Sequence, residues 1–173
     1  MEGTLLRSKL RHALKLAVAA ALAATAISGT TTTDAAASRP SSGTTCVIVL
    51  AKIKPGENFS REISRKCSDN MADLREAREA RVPLVFIHAE ADYKGHSEHY
   101  YGEEPCDAAG YGWREFTWSI DNAVSSLQVF NGCRWSQMYA EVNYGGDVKY
   151  GVDNYPFVGH EMNDRMSSLI VHA

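Results

Sequence analysis

Two internal repeats in the last 90 or so residues constrain the fold of this chain more than any other feature. The first repeat occupies His88–Gly95 and Tyr139–Gly146. It consists of a residue with a ring side chain, Ala-Glu, one variable residue, Asp or Asn, Tyr, any residue and Gly. The second is a turn followed by an alternating strand, with DNAVSS at 121–126 and NDRMSS at 163–168. The copies follow the same order, at offsets of 51 and 42 residues. Two copies in one order indicate two similar structural units.

The region that contains the repeats has the pattern of an all-β domain. From Leu84 onward, short apolar runs alternate with turns rich in Gly, Asp and Asn, and aromatic residues are dense. We predict units at 84–130 and 131–173 that together form one domain. The shorter offset between the turns indicates that the first unit holds extra residues in its middle, and we place them at 105–110.

Residues 1–37 have the pattern of a secretory signal peptide. Basic residues precede an apolar run at 16–27, which is short for a membrane span, and small residues at 35–37 suit cleavage. A membrane anchor is the alternative. Residues 38–45 are rich in Ser, Thr and Gly and are predicted to be a disordered tether.

The charge and the cysteines of the mature chain limit the partners and the compartment that it can have. Removing the four basic and two acidic residues of the leader leaves 14 basic and 19 acidic residues, a formal net charge of −5. This charge argues against nucleic acid and anionic membranes as partners. Four cysteines in an oxidising compartment indicate two disulfides. Three connectivities are possible, and we favour Cys46–Cys67 with Cys106–Cys133, because each pair lies within one segment of distinct character.

The segment 46–83 precedes the repeats and differs from them. Residues 46–53 are rich in β-branched side chains and are predicted to form a strand. Apolar residues then recur at about one helical turn between Phe59 and Leu74, which predicts an amphipathic helix or two shorter ones. We expect this strand-plus-helix extension to dock on the following domain, because so short a piece rarely makes its own core.

Together, the repeated signatures resemble the βγ-crystallin superfamily, including its microbial members. The unit of that family is a four-stranded Greek key that opens with an aromatic residue, four others, an aromatic residue, any residue and Gly. Tyr139, Tyr144 and Gly146 match this signature fully, whereas His88 replaces the first aromatic residue in the other copy. The resemblance implies an all-β sandwich of two Greek keys.

The turns match the calcium motif of the family, which is two Asn or Asp residues, two variable residues, Ser or Thr, and Ser. The resemblance implies side-chain ligands from Asn122, Asp164, Ser125 and Ser167, and backbone ligands from Ala123, Arg165, Ala89 and Ala140. Each site would draw oxygens from both units. Few carboxylates take part, so weak calcium binding in the range of extracellular modules is expected. The alternative is that these Asx and Ser side chains only cap turns.

Other chemistry-bearing residues carry weaker signals. His96 and His99 could suggest a metal site but are predicted to be exposed hairpin residues, and the three tryptophans are predicted to pack in the core. The chain has no nucleophile elbow, no His-Glu helix pair and no glycine-rich phosphate loop, so an enzyme is not expected.

Two functions are compatible with the sequence. The first is a secreted calcium-binding protein with two ions in turn sites shared between the Greek keys. The second is a secreted protease inhibitor or toxin on the same scaffold, and its protein target is unknown. The loop between Cys106 and Trp113, braced by a disulfide, is the feature that would reach into a protease cleft.

Overall fold

The structure is a computed structural model that describes residues 43–173. The predicted signal peptide at 1–37 and residues 38–42 of the predicted tether lie outside the described residues. The tether was predicted to extend to residue 45, but Thr45 begins the first strand and is buried. Among residues 43–173, no helix is long and apolar enough to cross a membrane.

Within residues 43–173, nine strands form two sheets, with very little helix. The strands are β1 (Thr45–Leu50), β2 (Glu62–Ser68), β3 (Val82–Glu90), β4 (Lys94–Gly102), β5 (Tyr111–Trp113), β6 (Ser126–Val129), β7 (Trp135–Glu141), β8 (Gly145–Val152) and β9 (Ser168–His172). A 3₁₀ turn at Met71–Leu74 leads into one short helix, α1 (Arg75–Arg78). Single 3₁₀ turns at Ala91–Tyr93 and Val142–Tyr144 close the β3–β4 and β7–β8 hairpins.

The sheet order shows two Greek keys that exchange one strand. The first sheet has the order β2-β1-β4-β3-β6, and the second has the order β5-β9-β7-β8. Strand β5 belongs to the first unit but pairs with β9 of the second, with Tyr111 opposite Val171. In return, Tyr155 of the second unit bridges Leu127 of β6 through two backbone hydrogen bonds. The predicted all-β sandwich of two Greek keys is confirmed.

The core between the sheets contains the apolar residue of each repeated turn. Val124 and Met166 have no exposed surface, like Ile87, Leu127 and Leu169 around them. Each turn is therefore anchored in the interior by its fourth residue. Because protein interiors are close-packed, this anchoring fixes where the polar residues on either side of it lie.

The helix predicted between Phe59 and Leu74 is wrong. Residues 62–68 form β2, which pairs antiparallel with β1, and Ile63 is 50% exposed. The apolar residues are spaced as in a helix. However, the edge of β1 offers backbone hydrogen bonds along the length of β2, and this pairing keeps residues 62–68 extended. Only Leu74, in the 3₁₀ turn, is buried as the pattern predicted.

The segment before the repeats is an integral part of the first sheet. Strand β1 pairs in parallel with β4, and all six of its residues are buried. Ile48 and Leu50 join the main core, whereas Val47 and Val49 pack with Leu74 on the outer face. The expected docking of 46–83 on the domain is therefore present, through a strand rather than a helix.

Both predicted disulfides are formed. Cys46 of β1 bonds to Cys67, which lies directly opposite it on β2. Cys106, in the loop that follows β4, bonds to Cys133, just before β7. The first disulfide thus ties the two added strands together, and the second ties the two units together.

Candidate metal centres

The two repeated turns have the same backbone conformation. Asn122 and Asp164 both adopt the left-handed region, with φ of 54° and 56°. Asn and Asp accept this region more readily than other residues with a Cβ. The Asn122 amide donates to Asp121 Oδ2 at 2.9 Å, and the Asn163 amide donates to Asp164 Oδ2 at 2.7 Å. The first motif residue of each copy therefore bonds to the second.

The turns lie side by side and are joined reciprocally. The backbone N–H of Asn122 donates to the carbonyl of Met166 at 3.1 Å. The backbone N–H of Asp164 donates to the carbonyl of Val124 at 3.2 Å. This pairing brings the second Asx residue of each turn close to the first serine of the other turn.

Each first serine also lies against the opening hairpin of its own unit. Ser125 Oγ donates to the carbonyl of Ala89 at 3.0 Å, and the Ser125 N–H donates to the carbonyl of His88. In the second unit, the Ser167 N–H donates to the carbonyl of Tyr139 at 2.9 Å, which places Ser167 beside Ala140.

The bonds across the turns therefore group the predicted ligands into two sets. The first set contains Ala89, Ser125 and Asp164. The second set contains Ala140, Ser167 and Asn122. Each set combines residues of both units.

The predicted backbone ligands have carbonyl groups that the sheet does not use fully. The β3–β4 ladder shifts register between His88 and Glu90, and the β7–β8 ladder shifts between Tyr139 and Glu141. Ala89 and Ala140 are the residues skipped at these irregularities, which re-aim the backbone. The carbonyls of Ala123 and Arg165 accept no hydrogen bond within residues 43–173.

The second serine of each turn has a different role. Ser126 Oγ donates to the carbonyl of Glu90 and accepts from the N–H of Tyr93 at 3.1 Å. Ser168 Oγ makes the same two bonds, to Glu141 and Tyr144. These serines close the two hairpins, so their hydroxyls are occupied.

The residues present fit a hard cation such as calcium. The candidate ligands are all oxygens, from carboxylate, amide, hydroxyl and carbonyl groups, which is the donor set calcium prefers. Asp121 Oδ1 is buried and has no hydrogen-bond partner within the described residues, so the first turn contains an unsatisfied acceptor. Residues 43–173 contain no group of three or more His, Cys, Asp or Glu side chains that could hold a metal ion, so each candidate site depends on amide, hydroxyl and backbone oxygens as well as a carboxylate.

Arg165 is the cationic residue within the turns. Its guanidinium donates to Asp147 Oδ2 at 2.8 Å and to the carbonyl of Glu161 at 2.9 Å. The positive charge is therefore paired with a carboxylate of β8. The corresponding residue of the first turn is Ala123, which has no charge to offset.

The histidines of β3 and β4 differ from the prediction. His96 and His99 were expected to be exposed, but both are buried. His88 replaces the first aromatic residue of the signature, and its ring lies 5.9 Å from that of Tyr93, like the Tyr139–Tyr144 pair at 5.5 Å. Burial lowers the pKa of His88 to about 4, and burial with the nearby charges of His88 and Arg78 lowers that of His99 to about 3.

The tryptophans match the prediction only in part. Trp113 is buried in the core, as expected, whereas Trp118 and Trp135 are about half exposed. No pattern near the tryptophans predicts this difference, because strand β5 places Trp113 in the second sheet through the strand exchange.

The glycine of each hairpin signature is explained by its backbone. Gly95 and Gly146 have φ of 78° and 71°, a region that glycine adopts freely. A Cβ on either would lie 2.9 Å from the Cγ atom of a glutamate, Glu90 or Glu141. The two hairpins therefore fold back in the same way, which completes the twofold likeness of the units.

Comparison with known proteins adds similar solved structures. No family model matches the sequence, and no curated protein matches it. Among solved structures, the chain is similar to a βγ-crystallin domain from Flavobacterium johnsoniae, with 19% identity over 52% of this chain and 94% of that one and a TM-score of 0.40. It is also similar to a βγ-crystallin domain from Clostridium beijerinckii, with 20% identity over 51% of this chain and 97% of that one and a TM-score of 0.39. A βγ-crystallin from an archaeon is similar too, with 18% identity over 52% of this chain and 98% of that one and a TM-score of 0.39.

The exchanged strands and the paired hairpins decide the assignment. The domain has a βγ-crystallin fold. Within this crystallin domain, the candidate metal centres lie where the two Greek keys meet, and β1 and β2 are strands added at the β4 edge.

Proposed function

We propose that this protein is a secreted calcium-binding βγ-crystallin-type protein, with one calcium ion at each of two turn sites shared between the Greek keys. The observation that carries this proposal is the reciprocal pair of backbone bonds, Asn122 to Met166 and Asp164 to Val124. These bonds group oxygens from both units, some of which accept no other hydrogen bond.

The proposed sites differ in charge. The site at Ser125 combines the Ala89 carbonyl with the carboxylate of Asp164, while the site at Ser167 combines the Ala140 carbonyl with the amide of Asn122. Calcium affinity rises with the number of charged ligands, so the site at Ser125 is proposed to be the tighter one. Bound calcium would supply the positive charge that these oxygens lack and stabilise the folded state by mass action.

Secretion is part of the proposal. Two disulfides are compatible with an oxidising compartment, since such bonds are rare in the cytosol. The net charge of −5 expected for the mature chain suits a cation ligand better than nucleic acid or an anionic membrane. We also propose a binding role rather than catalysis, because the grouped oxygens are acceptors for a cation.

The contacts of the loop between Cys106 and Trp113 bear on the alternative of protease inhibition. The loop after β4 is tied down: Lys52 contacts Asp107 at 2.9 Å and donates to the carbonyl of Pro105 at 3.2 Å. The Tyr111 hydroxyl donates to the carbonyl of Glu104. The disulfide of Cys106 that the inhibitor hypothesis requires is formed, but because these contacts hold the loop against Lys52 and Tyr111, we do not extend the proposal to inhibition.

A calorimetric calcium titration of the chain from Ser38 onward tests the proposal. We expect heat that saturates near two ions per chain, and a melting temperature that rises with calcium but not with the same concentration of sodium. Absence of both heat and a thermal shift at millimolar calcium would refute it.

A further inference from the structure

A second candidate site lies away from the calcium turns. A cavity of about 290 Å³ opens where the loop before β2 meets β5. Its walls include Leu50, Phe59, Arg61, Arg65, Trp113 and Arg114. The two sides are joined by backbone, because the Ser60 N–H donates to the carbonyl of Gly112 at 2.8 Å. No candidate calcium ligand lines this cavity.

The acids beside the cavity are already satisfied. Glu98, on β4, is completely buried and accepts from Arg65 Nη1 at 3.0 Å and from the Tyr100 hydroxyl. Thr117 and Ser119 also donate to it. Arg65 holds Glu62 through a second bond of 2.6 Å. A buried carboxylate with this many donors is a rigid, fully used group.

Two arginines of the cavity, in contrast, have no carboxylate partner in the part of the chain that the structure describes. Arg61 and Arg114 form no ion pair with any carboxylate of residues 43–173, and Arg114 lies 4.0 Å above the Phe59 ring. Trp113 is 6% exposed, and its indole Nε1 is buried without an acceptor in that same range. Glu115, exposed at the rim, is the other acid of the lining. Arg61 and Arg114 therefore present charged donors from which a ligand carboxylate would accept hydrogen bonds.

We propose that this cavity binds a small organic carboxylate with an apolar body about the size of one ring. Arg61 and Arg114 would hold the carboxylate through charge-assisted hydrogen bonds, which are the strong ones. Leu50 and Phe59 would contact the apolar body, and Trp113 would form part of the wall around it. The volume suits a ligand at the small end of the range for protein pockets. A free acid and the C-terminal carboxylate of a peptide share this chemistry.

The added segment forms one side of this site. Phe59, Arg61 and Arg65 come from the 46–83 segment, and Trp113 and Arg114 come from the exchanged strand β5 and the residue after it. The cavity therefore exists only where the segment docks on the crystallin domain. This assigns a binding role to a segment that the two Greek keys do not need for their own pairing.

Nuclear magnetic resonance of the ¹⁵N-labelled chain from Ser38 onward tests the proposal, with phenylacetate as the probe and phenylacetamide as its uncharged control. The chain has three indole N–H signals. Trp118→Phe and Trp135→Phe, at half-exposed positions, identify the third as that of Trp113. We expect this signal to shift saturably with phenylacetate and not with phenylacetamide, in calcium and in EDTA alike, so that failure of the calcium proposal would not affect the result.

Matched variants locate the carboxylate. Arg61→Gln and Arg114→Gln change exposed side chains and should each weaken binding about tenfold, which is the usual scale of one charge-assisted bond. Arg75→Gln, an exposed arginine of α1 outside the cavity, should change nothing.

A second probe separates the two ligand sources. The binding of a tetrapeptide that ends in phenylalanine with a free carboxylate is compared with that of its C-terminal amide. Whichever of this peptide and phenylacetate binds more tightly identifies the natural source of the carboxylate ligand. No saturable shift with either acid, equal binding of the amides, or an equal loss of binding in Arg75→Gln would overturn the proposal.

Discussion

The backbone N–H of Asn122 lies 3.1 Å from the carbonyl oxygen of Met166, which joins the first turn directly to the second. Met166 is completely buried, so this bond is held by the core rather than by the surface. A change in one turn is therefore expected to reach the other. This relationship makes the two candidate calcium sites a coupled pair rather than independent loops.

Replacing the first serine of either turn should affect both sites. Ser125→Arg or Ser167→Arg removes a hydroxyl ligand and places a cation in the site, so that site should lose calcium binding. The other site should weaken, because the altered turn supplies one of its ligands. Calorimetric titration measures both effects, with Ser64→Arg, an exposed serine of β2, as the control. If the second site kept its original affinity, the sharing of ligands would be wrong.

Exchanging carboxylate and amide should reverse the order of the sites. Asn122→Asp adds a charged ligand to the site at Ser167 and should tighten it, whereas Asp164→Asn should weaken the site at Ser125, each by roughly three- to tenfold. Titrations of the two variants and of the double exchange check this order. Equal affinities in all four proteins would show that Asn122 and Asp164 do not contact the metal.

Stability should fall between pH 7 and pH 5 because of two buried histidines. Burial lowers the pKa of His88 to about 4 and, with neighbouring charges, that of His99 to about 3, below the ordinary value of 6.5. In this window the unfolded state binds more protons than the folded state, so stability is complete above pH 6.5 and decreases as the pH falls. Each histidine should contribute a loss of roughly 2 kcal/mol by pH 5.

Urea unfolding at several pH values measures this slope. His99→Gln should reduce it by about half, since one of two titrating groups is removed. His160→Gln serves as the control because His160 is exposed. An unchanged slope in His99→Gln would show that the pKa of this imidazole is the same in the folded and unfolded states.

Removing the disulfide between the added strands should destabilise the protein. Cys46→Ala with Cys67→Ala is expected to cost roughly 2–4 kcal/mol, because the bond restricts the unfolded chain. Urea unfolding measures the loss, and mass spectrometry of the untreated protein should find no free thiols. Detection of free thiols would contradict the oxidised form of the structure.

A shortened chain that begins at Val82 should be less stable or less soluble than the full mature chain. It lacks Ile48 and Leu50 from the core, and it leaves the β4 edge unpaired. It also lacks Arg65, so the buried carboxylate of Glu98 loses its cation, a loss of roughly 3–5 kcal/mol. Thermal melting and sedimentation compare the two chains, and equal behaviour would show that β1 and β2 are a dispensable appendage.

The sequence predicted the features that depend on short, repeated patterns. The two hairpin signatures predicted paired units because Gly95 and Gly146 have a backbone requirement that few other residues meet. The turn motifs predicted a common conformation for the same reason, as Asn122 and Asp164 now show. The disulfide pairing followed from the segment in which each cysteine lies.

The sequence failed where long-range pairing overrides a local pattern. Phe59, Ile63 and Cys67 have helical spacing, yet the unpaired edge of β1 draws this stretch into a strand. His99 is polar and was expected to be exposed, but its ring stacks on Phe86 at 3.8 Å under the added segment. The cavity beside Glu98 combines residues from separate segments, so no single stretch of sequence indicated it.

A crystal structure of the mature protein grown with millimolar calcium would show directly whether the two turns share calcium ligands. We predict two calcium ions at the turns, one coordinated by the Ala89 carbonyl, Ser125 Oγ and Asp164, and the other by the Ala140 carbonyl, Ser167 Oγ and Asn122, at about 2.3–2.6 Å. Turns without calcium under these conditions, or ions bound by ligands from one unit alone, would contradict it.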